Sequence, residues 1–206
     1  MSRLDTRILQ PVCQRKSKLR SMTSMFRILL INLFSDPSKL VSELLKTRNL
    51  RWTNDVKTTQ IVVEPFSAWE PELTANRPGL IIKRQDWQRV RLGLNDAAAV
   101  NMNGDEHYAN NWMGSHTVFV LSGKDGECEE IAVEAFEYLN EFAPVVRVQY
   151  GLKAFAVASL GKIARLKEAN NHFAAPIDVG YVLEETWVLR KDAAPLRRLD
   201  MTAMEF

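Results

Sequence analysis

Residues 115–142 run Ser115-His116-Thr117-Val118-Phe119-Val120-Leu121, then Ser122-Gly123-Lys124-Asp125-Gly126, then Glu127-Cys128-Glu129-Glu130-Ile131-Ala132-Val133-Glu134-Ala135-Phe136-Glu137-Tyr138-Leu139-Asn140-Glu141-Phe142. The first seven alternate. Thr117, Phe119 and Leu121 fall on one face and His116, Val118 and Val120 on the other, the period of a strand. The next five are turn formers. From Glu127 the period changes. Cys128, Ile131, Ala132, Ala135, Phe136, Leu139 and Phe142 step by three and four, which gives a helix one apolar face. Glu127, Glu130, Glu134, Glu137 and Glu141 lie on the outward face, and Pro144 sets the expected end. A Phe136 ring inside the core predicts a cost of about 3–5 kcal/mol for Phe136→Ala.

The flanks read outward from this strand, turn and helix. Downstream, Lys153–Leu160 predicts one long strand and 174–189 another. In the second, Ala175, Ile177, Val179, Tyr181, Leu183, Trp187 and Leu189 alternate with polar or small residues. Glu185 interrupts that row, so the sheet is expected to emerge into solvent there. Upstream, 60–64 reads as a strand stopped by Pro65, 79–84 as a second, and 89–94 as a third with one charged face. Residues 95–114 carry many Asn and Gly and no apolar period, which predicts a long loop or hairpin arm. A helix is expected over 22–34. Another is expected over 37–49, where Asp36 caps, Pro37 fills the first helical position, and Leu40, Val41, Leu44 and Leu45 form one stripe. The order predicts an α+β fold, with helices packed on one face of a mostly antiparallel sheet. Residues 1–21 are expected as a flexible basic arm, 22–192 as one domain and 193–206 as a tail.

At 206 residues and 46% hydrophobic, the chain is long enough to bury a core unaided. Cys13 and Cys128 stand too far apart for a metal spacing or a disulfide framework, so both are expected as free thiols. No run approaches 18 apolar residues. Ile28–Phe34 comes nearest and reads as an amphipathic or buried helix, so no membrane partner is expected. Residues 1–27 hold seven Lys and Arg against Asp5 alone, a net +6 within a total of +2, leaving −4 for the body. Such an arm suits a negatively charged partner or a leader with none.

Chemistry-bearing motifs are sparse. The three histidines, His107, His116 and His172, sit in no metal-binding spacing. Asp105-Glu106-His107 is dense in ligand types, but consecutive side chains point apart. Ser115 and His116, as strand neighbours, face opposite sides and form no nucleophile–base pair. No phosphate loop or dinucleotide fingerprint is present. No catalytic, cofactor-binding or metal-binding residue is assigned, no cofactor is expected, and the chain is not read as an enzyme. Arg84, Trp87, Arg89 and Arg91, with Lys83, form a basic aromatic-bearing patch that reads as a subunit or partner interface. His107, Tyr108 and Trp112 on the expected arm join it.

One longer pattern stands out. Gly114-Ser115-His116-Thr117-Val118-Phe119-Val120 leads through a turn to a Glu-rich helix ending Asn140-Glu141-Phe142-Ala143-Pro144. A strand ending Leu160-Gly161 follows, then one through Pro176 to Glu184-Glu185-Thr186-Trp187. Over about residues 37–190 this order resembles tailed-bacteriophage neck proteins, tail terminators (tail-completion, head-tail joining) above all. The resemblance implies a structural virion protein, assembled in the host cytoplasm, that closes into a homo-oligomeric ring, commonly a hexamer. The ring caps the tail tube, meets the head connector or adaptor proteins, and lets genomic DNA pass without sequence-specific binding. It implies no catalytic residue. Glu130, Glu134 and Glu137 are expected either toward the channel or on a solvated outer face. The basic leader and Asn-rich loop depart from the pattern and leave open a head-completion or adaptor protein. A DNA-binding accessory protein using the basic arm is the reading from another class.

Overall fold

Val118 and Val120 are buried beneath helices while Phe119 faces the other way, as their alternation requires. The protein is seen in a computed structural model that describes residues 18–90, 97–100, 102, 105–166 and 172–189. Its strands are β1 (Val62–Pro65), β2 (Gly79–Arg84), β3 (Gln88–Val90), β4 (Ala97–Val100), β5 (Glu106–Ser122), β6 (Leu152–Leu160), β7 (Ala164–Leu166) and β8 (His172–Leu189). Its helices are α1 (Lys18–Phe34), α2 (Glu43–Thr47) and α3 (Asp125–Gln149). The strand order is β1-β2-β5-β8-β6, with β3 and β4 also on β5 and β7 on β8. β1 and β2 run parallel; β2, β3 and β4 run antiparallel to β5, and β6 and β7 to β8. The α+β class is therefore as expected.

The chain divides into two units. The larger spans 17–90 and 111–184, and the smaller takes 1–16, 91–110 and 185–206. In the larger, α1 and α3 cover one sheet face. Met22, Met25, Phe26, Leu30, Leu33 and Phe34 recur at helical spacing and are all buried. They meet Leu80, Ile82, Val118, Val120 and the alternating Ile177, Val179, Tyr181 and Leu183. Arg27 ties α1 to β1, donating to Val63 O at 3.2 Å and to Glu64 Oε1 at 2.9 Å.

Several expectations are corrected. Residues 18–21 belong to α1, so the expected arm is helical at its end; residues 1–17 and the expected tail 193–206 lie outside the described residues. The helix over 37–49 is two pieces. Asp36 accepts from the Ser38 hydroxyl and caps a 3-10 turn at Pro37–Lys39 through Ser38 N–H, and these hydrogen bonds, the hydroxyl's first, hold its carboxyl below the usual range. The chain then opens because Glu134 takes the amides of Val41 and Ser42. Leu40 and Leu45 are buried, while Val41 and Leu44 are exposed. Pro144 does not end α3. The proline ring is exposed, and buried Val146 anchors the last turn to the core until Gly151, at φ 58°, reverses the chain. Phe136 is half-buried at the core's rim, so its truncation should cost less than a full core phenylalanine.

In the smaller unit, the stretch expected as a long loop or hairpin arm takes the second form, an antiparallel hairpin. Ala97, Ala99 and Val100 pair with Tyr108, His107 and Glu106. β4 is unbroken Ala and Val while β5 there carries polar residues on both faces, so backbone pairing forms a strand that no apolar alternation announces. The third strand is β3, shorter than expected within the described residues; 91–94 lie outside them.

Candidate assembly surface and a buried hydrogen-bond relay

The sheet face away from the helices is covered on one half alone. There Ile81, Leu121 and Ala174 are buried under Trp69, Phe119 and Leu166. On the other half, β6, β8 and β5 carry small side chains with nothing above them among the described residues. Met113, Ala154, Ala156, Ala158, Gly180 and Val182 line a shallow trough of about 410 Å³, mainly apolar, with Asp86 and Gln88 on its rim. The trough ends at β6, the last strand of the order, whose outer edge has no partner strand among the described residues. Beside it a polar ladder crosses three strands. Gln85 Nε2 donates to Thr117 Oγ1, Thr117 Oγ1 to Asp178 Oδ1 at 2.7 Å, and Ser159 Oγ to Asp178 Oδ2 at 3.0 Å. A second apolar surface lies on the C-terminal half of α3. Phe142, Val145 and Val148 recur every three residues and are 36%, 45% and 76% exposed.

On the helix side of β5, His116 is wholly buried. Its Nε2 lies 2.9 Å from Thr23 Oγ1 and its Nδ1 2.9 Å from the Tyr181 hydroxyl, with the Phe26 ring 4.8 Å away. Burial first, and then the Arg84 charge, push the imidazole down to about 4, so it is neutral at pH 7. Burial raises the Tyr181 hydroxyl's pKa, so it keeps its proton. That proton has one acceptor among the described residues, His116 Nδ1, which assigns Nε2–H as the donor to Thr23. Ser115 faces the trough, so it and His116 stand on opposite faces as expected.

The basic patch is brought together in part. Arg84 is exposed at the end of β2, opposite His116, and Arg89 pairs across from Trp112. Trp87 and Trp112 are half-buried against the core, and the Trp87 ring meets Tyr181 edge-on at 5.9 Å. Their rings are thus structural before they are available to a partner. His107 and Tyr108 stand half-buried on β5 in the smaller unit, where the Tyr108 hydroxyl donates to Glu106. Arg91 lies outside the described residues.

The outward glutamates separate. Glu134 is buried and both its oxygens accept backbone amides, from Val41 at 2.7 Å and Ser42 at 3.0 Å. Glu130 accepts from Ser42 Oγ at 2.6 Å, and Glu137 is exposed. Glu127, also buried, pairs with Arg48 and accepts from Ser122 Oγ. Cys128 is a free buried thiol that donates to Val120 O; burial, the main cause, raises it to about 11. Among the described residues no three His, Cys, Asp or Glu side chains group as a metal site would, and no helix is long and apolar enough to cross a membrane.

The trough and the relay were missed in the sequence because they join residues from four and three distant segments. The one available signal was the run Ala154, Ala156, Ala158, small residues alternating on a strand. No family model matches the chain, and no curated protein matches it in sequence.

Proposed function

We propose that this chain is a structural subunit of a tailed-bacteriophage neck, of the tail-terminator kind. Copies close into a ring, a hexamer by the resemblance. The ring caps the tail tube, joins it to the head connector and passes DNA without reading its sequence. The observation that carries the reading is the apolar half of the sheet left bare by the described residues, which runs out to the outer edge of β6.

A ring needs two unlike surfaces on each copy, which meet head to tail and close. The trough is one, and the Phe142–Val145–Val148 stripe of α3 is the other. A helix stripe laid on small sheet side chains buries apolar area from both partners. The occupant of the trough in this reading is therefore a second copy of the chain.

The test is tube growth. Cognate tail-tube protein is polymerised with and without the purified full chain, and tube lengths are measured by electron microscopy. A terminator stops growth and leaves short tubes capped by a ring. Unchanged lengths with uncapped ends would overturn the reading.

A further inference from the structure

We propose that a recess at the C-terminal end of β2 binds a phosphate group. The recess, of about 360 Å³, lies between α1 and the turn that follows β1. Thr23 and Ser67 bring hydroxyls, Lys83 and Arg84 bring charge, and Pro65, Phe66 and Ile82 make its apolar wall. Among the described residues no carboxylate lines it.

The charges are uncommitted. Neither Lys83 nor Arg84 is paired with a carboxylate among the described residues. The Lys83 ammonium lies 5.2 Å above the Phe66 ring centre, which holds it at the mouth. The backbone adds to this. Gln85 N–H donates to Ser115 O on β5, so strand alternation turns the N–H of Arg84 to the opposite side. On that side β1 has ended, with Pro65 opposite Ile82.

The buried relay decides what Thr23 presents. Tyr181 O–H donates to His116 Nδ1, and His116 Nε2–H donates to Thr23 Oγ1. The Thr23 proton has no other partner among the described residues, so it is free to donate into the recess. Two hydroxyls with protons to give and two cations, without an acid, form a donor-rich set. That set suits an oxyanion with several acceptors and more than one charge, which is a phosphate. The half-exposed Phe66 ring suits the flat body of a phosphate ester.

Titration calorimetry of the full chain with inorganic phosphate, thymidine 5′-monophosphate and thymidine tests this. Saturable binding of the phosphate-bearing probes and none of thymidine is expected. Tighter binding of the monophosphate assigns the organic body to Phe66, and equal affinities assign free phosphate. Lys83→Ala and Arg84→Ala, both at accessible positions, should each weaken binding about tenfold, the loss of one charge-assisted hydrogen bond. Thr23→Ser should keep the affinity that Thr23→Val loses. Three results would each overturn the proposal: no saturable binding of either phosphate probe, affinities unchanged in both alanine variants, or thymidine binding as tightly as its monophosphate.

Discussion

The Tyr181 hydroxyl lies 2.9 Å from His116 Nδ1, so a strand near the C-terminus fixes the tautomer of a histidine on β5. Tyr181→Phe keeps the ring but leaves a buried nitrogen without its donor. A loss of about 1–3 kcal/mol is expected by urea denaturation. An unchanged midpoint would mean the relay is not formed in solution.

His116 also makes stability depend on pH. The unfolded histidine takes up a proton near its ordinary 6.5, while the folded one resists until about pH 4. Between those values the unfolded state binds more protons, so stability falls as pH drops through that window. Comparing urea midpoints at pH 7 and pH 5 checks it. The wild type should lose more than His116→Gln does; equal losses would assign the effect to other groups.

Glu134 and Glu137 sit one turn apart on α3 with opposite fates. Glu134→Ala removes the acceptor of two backbone amides and should cost about 1.5–3 kcal/mol. Glu137→Ala, at an exposed position, should change stability by less than about 0.5 kcal/mol. Equal effects in thermal melts would refute the capping role.

Gly114 leaves room for aromatic rings. A Cβ there would come within 2.9 Å of both Trp87 Nε1 and Tyr181 Cε2. Gly114→Ala should therefore destabilise by about 1–3 kcal/mol through overpacking. A neutral result would show that the rings move aside.

Cys128 should resist alkylation. Its thiol is buried and raised to about 11, so little thiolate exists at pH 8. In a Cys13→Ser background, iodoacetamide labelling should be slow in buffer and rapid in urea. Rapid labelling of the folded chain would contradict the packing of α3 on β5.

Much of the fold was legible where one face is buried and the other is not. The alternation of 116–121 and the three-four spacing of 128–139 each report a single apolar partner, and both elements lie as read. The 97–108 hairpin was legible only as a loop or arm, because β4 is unbroken Ala and Val and its partner carries Glu106, His107 and Tyr108 on both faces. The break at 40–42 was hidden for a different reason. Its cause is a carboxylate 92 residues away that competes for the helix's first amides. The continuation of α3 past Pro144 depends on Val146 finding the core, which no local rule encodes. The trough likewise exists only once β5, β8 and β6 lie side by side, and the recess only once α1 packs beside β2 and the turn after β1.

The ring reading is tested most directly by the mass of the full chain in solution, measured for the wild type, Ala156→Glu, Val148→Glu and a mixture of the two variants. Ala156 lies in the trough and Val148 on the α3 stripe, both exposed, so each variant should fold. Head-to-tail closure predicts a discrete wild-type ring, formed alone or on tube ends, monomers for each variant, and dimers in the mixture. In that mixture one intact trough meets one intact stripe. A wild type that stays monomeric with and without tube ends, or variants that still form the ring, would contradict it.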